Sequence, residues 1–118
     1  MNVLVVDDSS TMRKIIVRSL QAVGIPSTVE AGDGVEGLAR FRSGEFQLVM
    51  TDWNMPNKTG IELARDIRAL GSTVPIIMVT TEAEKARVLE AIQAGVNDYL
   101  VKPFTSDVLR QKLERFVC

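Results

Sequence analysis

The chain has 118 residues, of which 46% are hydrophobic and 25% are charged, an average composition for a globular protein of one domain. The net charge of −1 excludes nucleic-acid binding through bulk positive charge, and no apolar run is long enough to span a membrane. Histidine is absent and Cys118 is the single cysteine, which excludes histidine-based catalysis, histidine-ligated zinc and an internal disulfide. We therefore expect one cytoplasmic domain over residues 1–118, with neither a membrane nor nucleic acid as a direct partner.

Short apolar runs alternate with segments of helical periodicity along the whole chain. The first unit is an apolar run at residues 3–6, followed by a helix with Ser9 or Ser10 as N-cap and Gly24 as its stop. Further strands are predicted at residues 28–29, 48–50, 74–79 and 99–101. Helices two to four are predicted to start at Asp33 with Glu36, at a Thr59–Glu62 capping box and at a Thr81–Glu84 capping box, and to stop at Gly44, Gly71 and Gly95. The last helix carries Val108, Leu109, Leu113 and Phe116.

This alternation predicts an α/β fold with five strand–helix units, (βα)5, in which helices cover both faces of a parallel sheet. Strands buried on both faces are continuous apolar runs, whereas the second and fifth predicted strands are mixed in polarity. Those two strands are therefore expected at the edges. The strand order 2-1-3-4-5 of a flavodoxin-like, doubly wound sheet satisfies this, with strands 1 and 3 adjacent at the centre.

Polar side chains follow the carboxyl ends of the predicted strands, where ligands bind in open parallel sheets. Two carboxylates come after strand 1, one at the end of strand 3, two hydroxyls after strand 4 and an ammonium group after strand 5. In that order the groups are Asp7 and Asp8, Asp52, Thr80 and Thr81, and Lys102. Because parallel strands end at the same edge of a sheet, these groups are expected to converge.

Three crowded carboxylates repel one another. The repulsion is on the order of 4 kcal/mol for a pair about 4 Å apart at an effective dielectric constant near 20, so a cation is expected among them. Only oxygen ligands are in reach, which favours Mg²⁺, with Mn²⁺ as a substitute. A metal, a lysine and a hydroxyl around one aspartate form an arrangement suited to phosphoryl transfer to that carboxylate.

These residues resemble the receiver domain of two-component response regulators. The resemblance rests on Asp7-Asp8, Asp52, Thr80 and Lys102-Pro103-Phe104, and it covers essentially the whole chain. Two further segments, Ser10 to Arg13 and Asp52 to Asn57, are similar to the chemotaxis members of that family. The resemblance implies a phosphorylation-controlled binding switch that is not an enzyme with a separate substrate.

The resemblance also implies roles at the site. Asp52 would be the phosphoacceptor. Asp8, Asp52 and the backbone carbonyl of Asn54 would bind Mg²⁺, with Asp7 acting through water. The phosphoryl group would meet Lys102, the hydroxyl group of Thr80 and the backbone amide of Thr81, and the Lys102–Pro103 peptide bond would be cis.

For the output, the resemblance implies that Tyr99 changes rotamer as Thr80 moves. The partner face would consist of Glu84, Lys85, Tyr99 and Lys112. Two positions depart from the chemotaxis pattern: Ser9 replaces an aromatic residue, and Glu84 replaces a lysine on the partner face.

The implied partners are a sensor histidine kinase similar to the chemotaxis kinase CheA and an output protein of the flagellar switch, bound by a monomeric regulator. One alternative is a receiver, free-standing or part of a longer regulator, in a phosphorelay outside chemotaxis. An aspartate-nucleophile phosphatase would need a second acid at position 54, where this sequence has Asn54. A flavin mononucleotide protein of the same fold would place its phosphate beside Asp7 and Asp8, which would repel it.

Overall fold

The computed structural model describes residues 1–81 and 85–117, and the side chains of residues 85, 86 and 117 lie outside that description. In these described residues, five strands alternate with five helices, as the periodicity predicts. In chain order they are β1 (Asn2–Val6), α1 (Ser10–Ala22), β2 (Ser27–Ala31), α2 (Gly34–Arg42), β3 (Leu48–Asp52), α3 (Gly60–Ala69), β4 (Ile76–Thr80), α4 (Lys85–Gln93), β5 (Asp98–Val101) and α5 (Ser106–Val117).

The five strands form one parallel sheet in the order β2-β1-β3-β4-β5, which confirms the predicted topology and its two edge strands. At the centre, Val3 of β1 is in register with Thr28 of β2 on one side and with Leu48 of β3 on the other. All strands therefore end at one edge of the sheet, and the residues that follow them share that edge.

Successive strand residues face opposite sides of the sheet, and each side has its own core. Val3 and Val5 of β1 pack with α1 and α5, for example against Ile16 and Leu109. Leu4 and Val6 belong to the other core, which α3 and α4 complete with residues such as Ile67 and Ala91. Burial on both faces explains why the central strands are uninterrupted apolar runs.

The predicted helix starts are formed by side-chain caps. Ser9 Oγ accepts a hydrogen bond from the backbone N–H of Met12 at the start of α1. The Thr59–Glu62 capping box begins α3, with both reciprocal hydrogen bonds present. Asp33 caps α2 through the backbone N–H of Glu36. Glu84, the second member of the Thr81–Glu84 box predicted for α4, lies outside the described residues.

Each strand boundary that differs from the sequence prediction does so by one or two residues. β4 begins at Ile76 rather than at residue 74, because Pro75 has no backbone N–H to donate to a neighbouring strand. β5 begins one residue earlier than predicted, at Asp98, which is in register with Ile77 of β4.

In the part of the chain that the structure describes, no helix combines the length and apolar character needed to traverse a lipid bilayer.

Candidate functional site

Three carboxylates meet at the carboxyl edge of the sheet. Asp7 follows β1 directly, Asp8 is the next residue, and Asp52 is the last residue of β3. Each offers an oxygen within 4.8 Å of the others. Asp7 is buried, Asp52 is partly buried and Asp8 is exposed, so the cluster opens to solvent on one side.

Lys102 approaches this cluster from the end of β5. Its Nζ lies 3.1 Å from Asp7 Oδ2 and 3.4 Å from Asp52 Oδ1. The backbone N–H of Lys102 donates to the carbonyl oxygen of Thr80, which ties the lysine to the end of β4, and the Lys102–Pro103 peptide bond is cis as expected. The sheet thus brings two of the predicted carboxylates, those of Asp7 and Asp52, into direct contact with the predicted ammonium group.

The Asp7 carboxylate is held on both sides. Its Oδ1 accepts a hydrogen bond from the backbone N–H of Ser9, and its Oδ2 accepts one from Lys102. The backbone carbonyl of Asp7 accepts a hydrogen bond from Arg13, which also pairs with Glu30 of β2 at 3.0 Å. These contacts of Arg13, a residue of α1, could not be predicted from the sequence, because its partners are a backbone atom and a side chain of β2.

The Asp52 carboxylate is partly buried and lies in one cluster with Asp7 and Asp8. Burial raises its pKa above the ordinary value, and the negative charge of Asp7 adds to the increase, while Lys102 and the backbone N–H of Trp53 act in the opposite direction. A partly buried carboxylate beside a second one favours association with positive charge or protonation.

Thr80 and Thr81 lie where the sequence places them. Thr80 is the last residue of β4 and is 3% exposed, whereas Thr81 follows it and is exposed. Asn54 is exposed in the loop between β3 and α3. That loop is closed at its base by a hydrogen bond from the backbone N–H of Gly60 to the carbonyl oxygen of Trp53.

Tyr99 and Lys112 of the predicted partner face lie together at the β5 edge of the sheet, on the side of β4 that is away from β3. The Lys112 Nζ of α5 is 4.8 Å from the centre of the half-buried Tyr99 ring. The same ammonium group pairs with Asp98, which also pairs with Arg115. Sequence analysis missed Asp98 and Arg115; the available signal was an acidic residue directly before Tyr99 in the last predicted strand. Glu84 lies outside the described residues, as does the side chain of Lys85.

The donor set of the acidic cluster fits a hard divalent cation. Three carboxylates supply oxygen ligands, and no histidine or cysteine among the described residues joins the cluster. Mg²⁺ prefers such oxygens and retains several waters, which the open side of the cluster accommodates.

The chain is similar to known proteins along almost its whole length. The response regulator receiver domain model matches residues 3–114. The chemotaxis protein CheY of Pseudomonas aeruginosa is 50% identical over 117 residues, covering 98% of this chain and 94% of that protein. CheY-3 of Vibrio cholerae is 46% identical, with 98% and 90% covered. The crystal structure of Vibrio cholerae CheY4 superposes with a TM-score of 0.91 at 35% identity, covering 98% of each chain.

Proposed function

Because the chain belongs to the response regulator receiver family, we propose that it is a phosphorylation-controlled binding switch whose phosphoacceptor is Asp52. The donor is the phosphohistidine of a sensor histidine kinase. The output is a change in binding to a partner protein, so the chain acts on no substrate besides itself.

The observation that carries this proposal is the contact set of the Asp52 carboxylate. It ends β3 at the carboxyl edge of the sheet, with Lys102 Nζ 3.4 Å from Oδ1 and two further carboxylates in the same cluster. A nucleophilic oxygen, a fixed cation and an acidic metal-binding cluster at one solvent-accessible point are what phosphoryl transfer to a carboxylate requires.

In the transfer, a carboxylate oxygen of Asp52 attacks the phosphorus atom, and the bond from phosphorus to the donor nitrogen breaks. The product is an acyl phosphate on Asp52, and the electron pair of the broken bond remains on the donor. Lys102 neutralises charge on the phosphoryl oxygens, while the Thr80 hydroxyl and the Thr81 backbone N–H donate hydrogen bonds to them. Hydrolysis by water restores the carboxylate and releases inorganic phosphate.

For the metal, we propose Asp8, Asp52 and the backbone carbonyl of Asn54 as ligands of Mg²⁺, which Mn²⁺ can replace. Both carboxylate oxygens of Asp7 already accept hydrogen bonds, from Ser9 and Lys102, which supports a role for Asp7 through water. When bound, the metal supplies positive charge that offsets the crowding of the acids and of the incoming phosphoryl group.

The chemotaxis assignment rests on the curated relatives, which are named chemotaxis proteins and are up to 50% identical to this chain. We propose a kinase similar to CheA as donor and a flagellar switch component as output partner. The partner face contains Glu84, Lys85, Tyr99 and Lys112, of which Tyr99 and Lys112 are in contact.

The test is phosphorylation with acetyl phosphate in the presence of Mg²⁺, followed by intact-mass and peptide mass spectrometry. We expect one added phosphoryl group on Asp52 that is lost at alkaline pH, as an acyl phosphate is. Asp52→Asn should abolish it, whereas Asp107→Asn, at an exposed acid of α5, should not. An alkali-stable phosphate on Thr80 or Thr81 would contradict the proposal.

A further inference from the structure

The loop between β3 and α3 contains a residue with a left-handed backbone. Asn57, five positions after Asp52, has a φ angle of 68°, and among the described residues it is the non-glycine residue with positive φ. Asparagine tolerates this region better than other side chains. The Asn57 carboxamide Nδ2 donates a hydrogen bond of 2.8 Å to Asp33 Oδ2.

Asp33 uses its two carboxylate oxygens for two different elements. Oδ1 accepts the backbone N–H of Glu36 at 2.8 Å and caps α2, while Oδ2 accepts the hydrogen bond from Asn57. The backbone bond to Glu36 and then the bond to Asn57 lower the pKa of Asp33, so the group is charged at neutral pH. One side chain therefore joins the start of α2 to the β3–α3 loop.

The loop packs too closely on its surroundings to shift freely. A Cβ at Gly34, the first residue of α2, would overlap the Lys58 carbonyl, and one at Gly60 would overlap the Asp52 carbonyl. With the hydrogen bond from Gly60 to Trp53 at its base, the loop is fixed at both ends. Of the exposed side chains in its middle, Asn57 is joined to α2 by the bond to Asp33, and the next residue, Lys58, is paired with Asp66 of α3.

We propose that Asp33 and Asn57 are positioning residues for the magnesium site, holding the β3–α3 loop in the shape that presents its backbone carbonyl to the metal. The inference rests on the proposed function, because the carbonyl in question is that of Asn54, three residues before Asn57. Without the bond, the exposed part of the loop around Asn57 gains freedom that is lost again when the metal binds, and that cost reduces the affinity.

Three substitutions separate the bond from other effects. Asp33→Ser keeps an oxygen that caps α2 but removes the acceptor for Asn57. Asn57→Gly removes the carboxamide while tolerating the positive φ. Asp33→Asn removes the charge but keeps both bonds, because its amide can donate to the Asn57 carbonyl oxygen after that amide turns over. Asp33→Asn is thus the matched control for charge.

The experiment is Mg²⁺ titration of each variant, followed by the emission of Trp53, together with thermal unfolding without Mg²⁺. Loss of one hydrogen bond predicts a Kd about threefold to tenfold higher for Asp33→Ser and for Asn57→Gly. The double variant should match the weaker single variant, and Asp33→Asn should stay within about twofold of the parent. At saturating Mg²⁺, phosphorylation by acetyl phosphate should return to about the parent rate in every variant.

Two results would overturn the positioning role. One is a Kd for Mg²⁺ that is unchanged in Asp33→Ser and Asn57→Gly while their melting temperatures fall. The other is a fold increase in the Kd of the double variant that equals the product of the two single-variant increases. Failure of the proposed function would give a different result: the parent chain would show no Mg²⁺ response that depends on Asp8. In that case the positioning role would be refuted as well.

Discussion

The guanidinium carbon of Arg87, on α4, lies 5.0 Å from the centre of the Trp53 ring. Trp53 is 6% exposed, and its backbone N–H donates to Asp52 Oδ1 over 2.8 Å. One residue therefore contacts the candidate phosphoacceptor through its backbone and α4 through its ring. Because Trp53 is the single tryptophan of the sequence, its emission reports on both.

The first prediction concerns Mg²⁺. Binding should change Trp53 emission and stabilise the fold by RT ln(1 + [Mg²⁺]/Kd), about 1 kcal/mol at several times Kd. Asp8→Ala should remove most of both effects, since it removes the exposed carboxylate of the cluster. Fluorescence and urea unfolding over millimolar Mg²⁺ measure this, with Asp107→Ala as the control. A parent chain whose emission and unfolding ignore Mg²⁺ would refute the metal assignment.

The convergence of carboxylates and a lysine at the carboxyl edge of the sheet could be predicted from sequence, because it depends only on strand positions and strand order. Apolar runs fixed the central strands, and mixed strands fixed the edges. Once the order was set, Asp7, Asp52 and Lys102 had to share one edge, whatever their side-chain conformations. The structure adds the contacts, with Lys102 Nζ between the two carboxylates.

Other features depend on long-range geometry that no short pattern contains. The pair Asp33–Asn57 requires a left-handed residue in one loop and an N-cap 24 positions earlier. The burial of Trp53 depends on where α4 packs, because Arg87 of that helix lies over its ring. Periodicity identifies elements and faces, but it does not give the partner of a polar side chain.

The second prediction concerns pH. Burial is the largest cause of the raised pKa of Asp52 in the folded chain. Protonation of Asp52 therefore favours the folded state, and above the folded pKa the charged carboxylate lowers the free energy of unfolding. In Mg²⁺-free buffer, Asp52→Asn should therefore be more stable than the parent at pH 7. The difference should shrink as the pH falls through the folded pKa toward the unfolded value of 3.8. Urea unfolding at several pH values tests this, and a variant less stable than the parent at pH 7 would contradict it.

The third prediction concerns the buried acid of β5. The Asp98 side chain is 7% exposed and accepts hydrogen bonds from Lys112, Arg115 and the backbone N–H of Tyr99. Asp98→Ala should destabilise the fold by about 1–3 kcal/mol, because it leaves these donors without their acceptor. Asp107, 86% exposed, is the matched control, and its removal should cost less than about 0.5 kcal/mol. Equal effects of the two variants in chemical denaturation would contradict the role of Asp98.

The fourth prediction separates phosphorylation from output. Thr80 is buried at the end of β4, and its backbone carbonyl accepts a hydrogen bond from Lys102, so it lies between the acidic cluster and β5. A phosphoryl group on Asp52 adds charge and acceptor oxygens that favour a conformer in which the Thr80 hydroxyl turns toward it. A shift of the active population from a few percent to a majority requires only ~2–3 kcal/mol, which one or two charge-assisted hydrogen bonds supply.

Thr80→Ala should therefore leave Asp52 phosphorylatable, at a rate within about tenfold of the parent. It should remove most of the change in amide exchange that phosphorylation causes at the partner face around Tyr99. Amide hydrogen exchange with and without acetyl phosphate measures that response. In the parent, the changes should fall on α4, β5 and α5, where Tyr99 and Lys112 are in contact. Thr80→Ser retains the hydroxyl and should retain the response, which makes it the control. Changes confined to α1 and α2 in the parent would place the output surface on another face of the sheet.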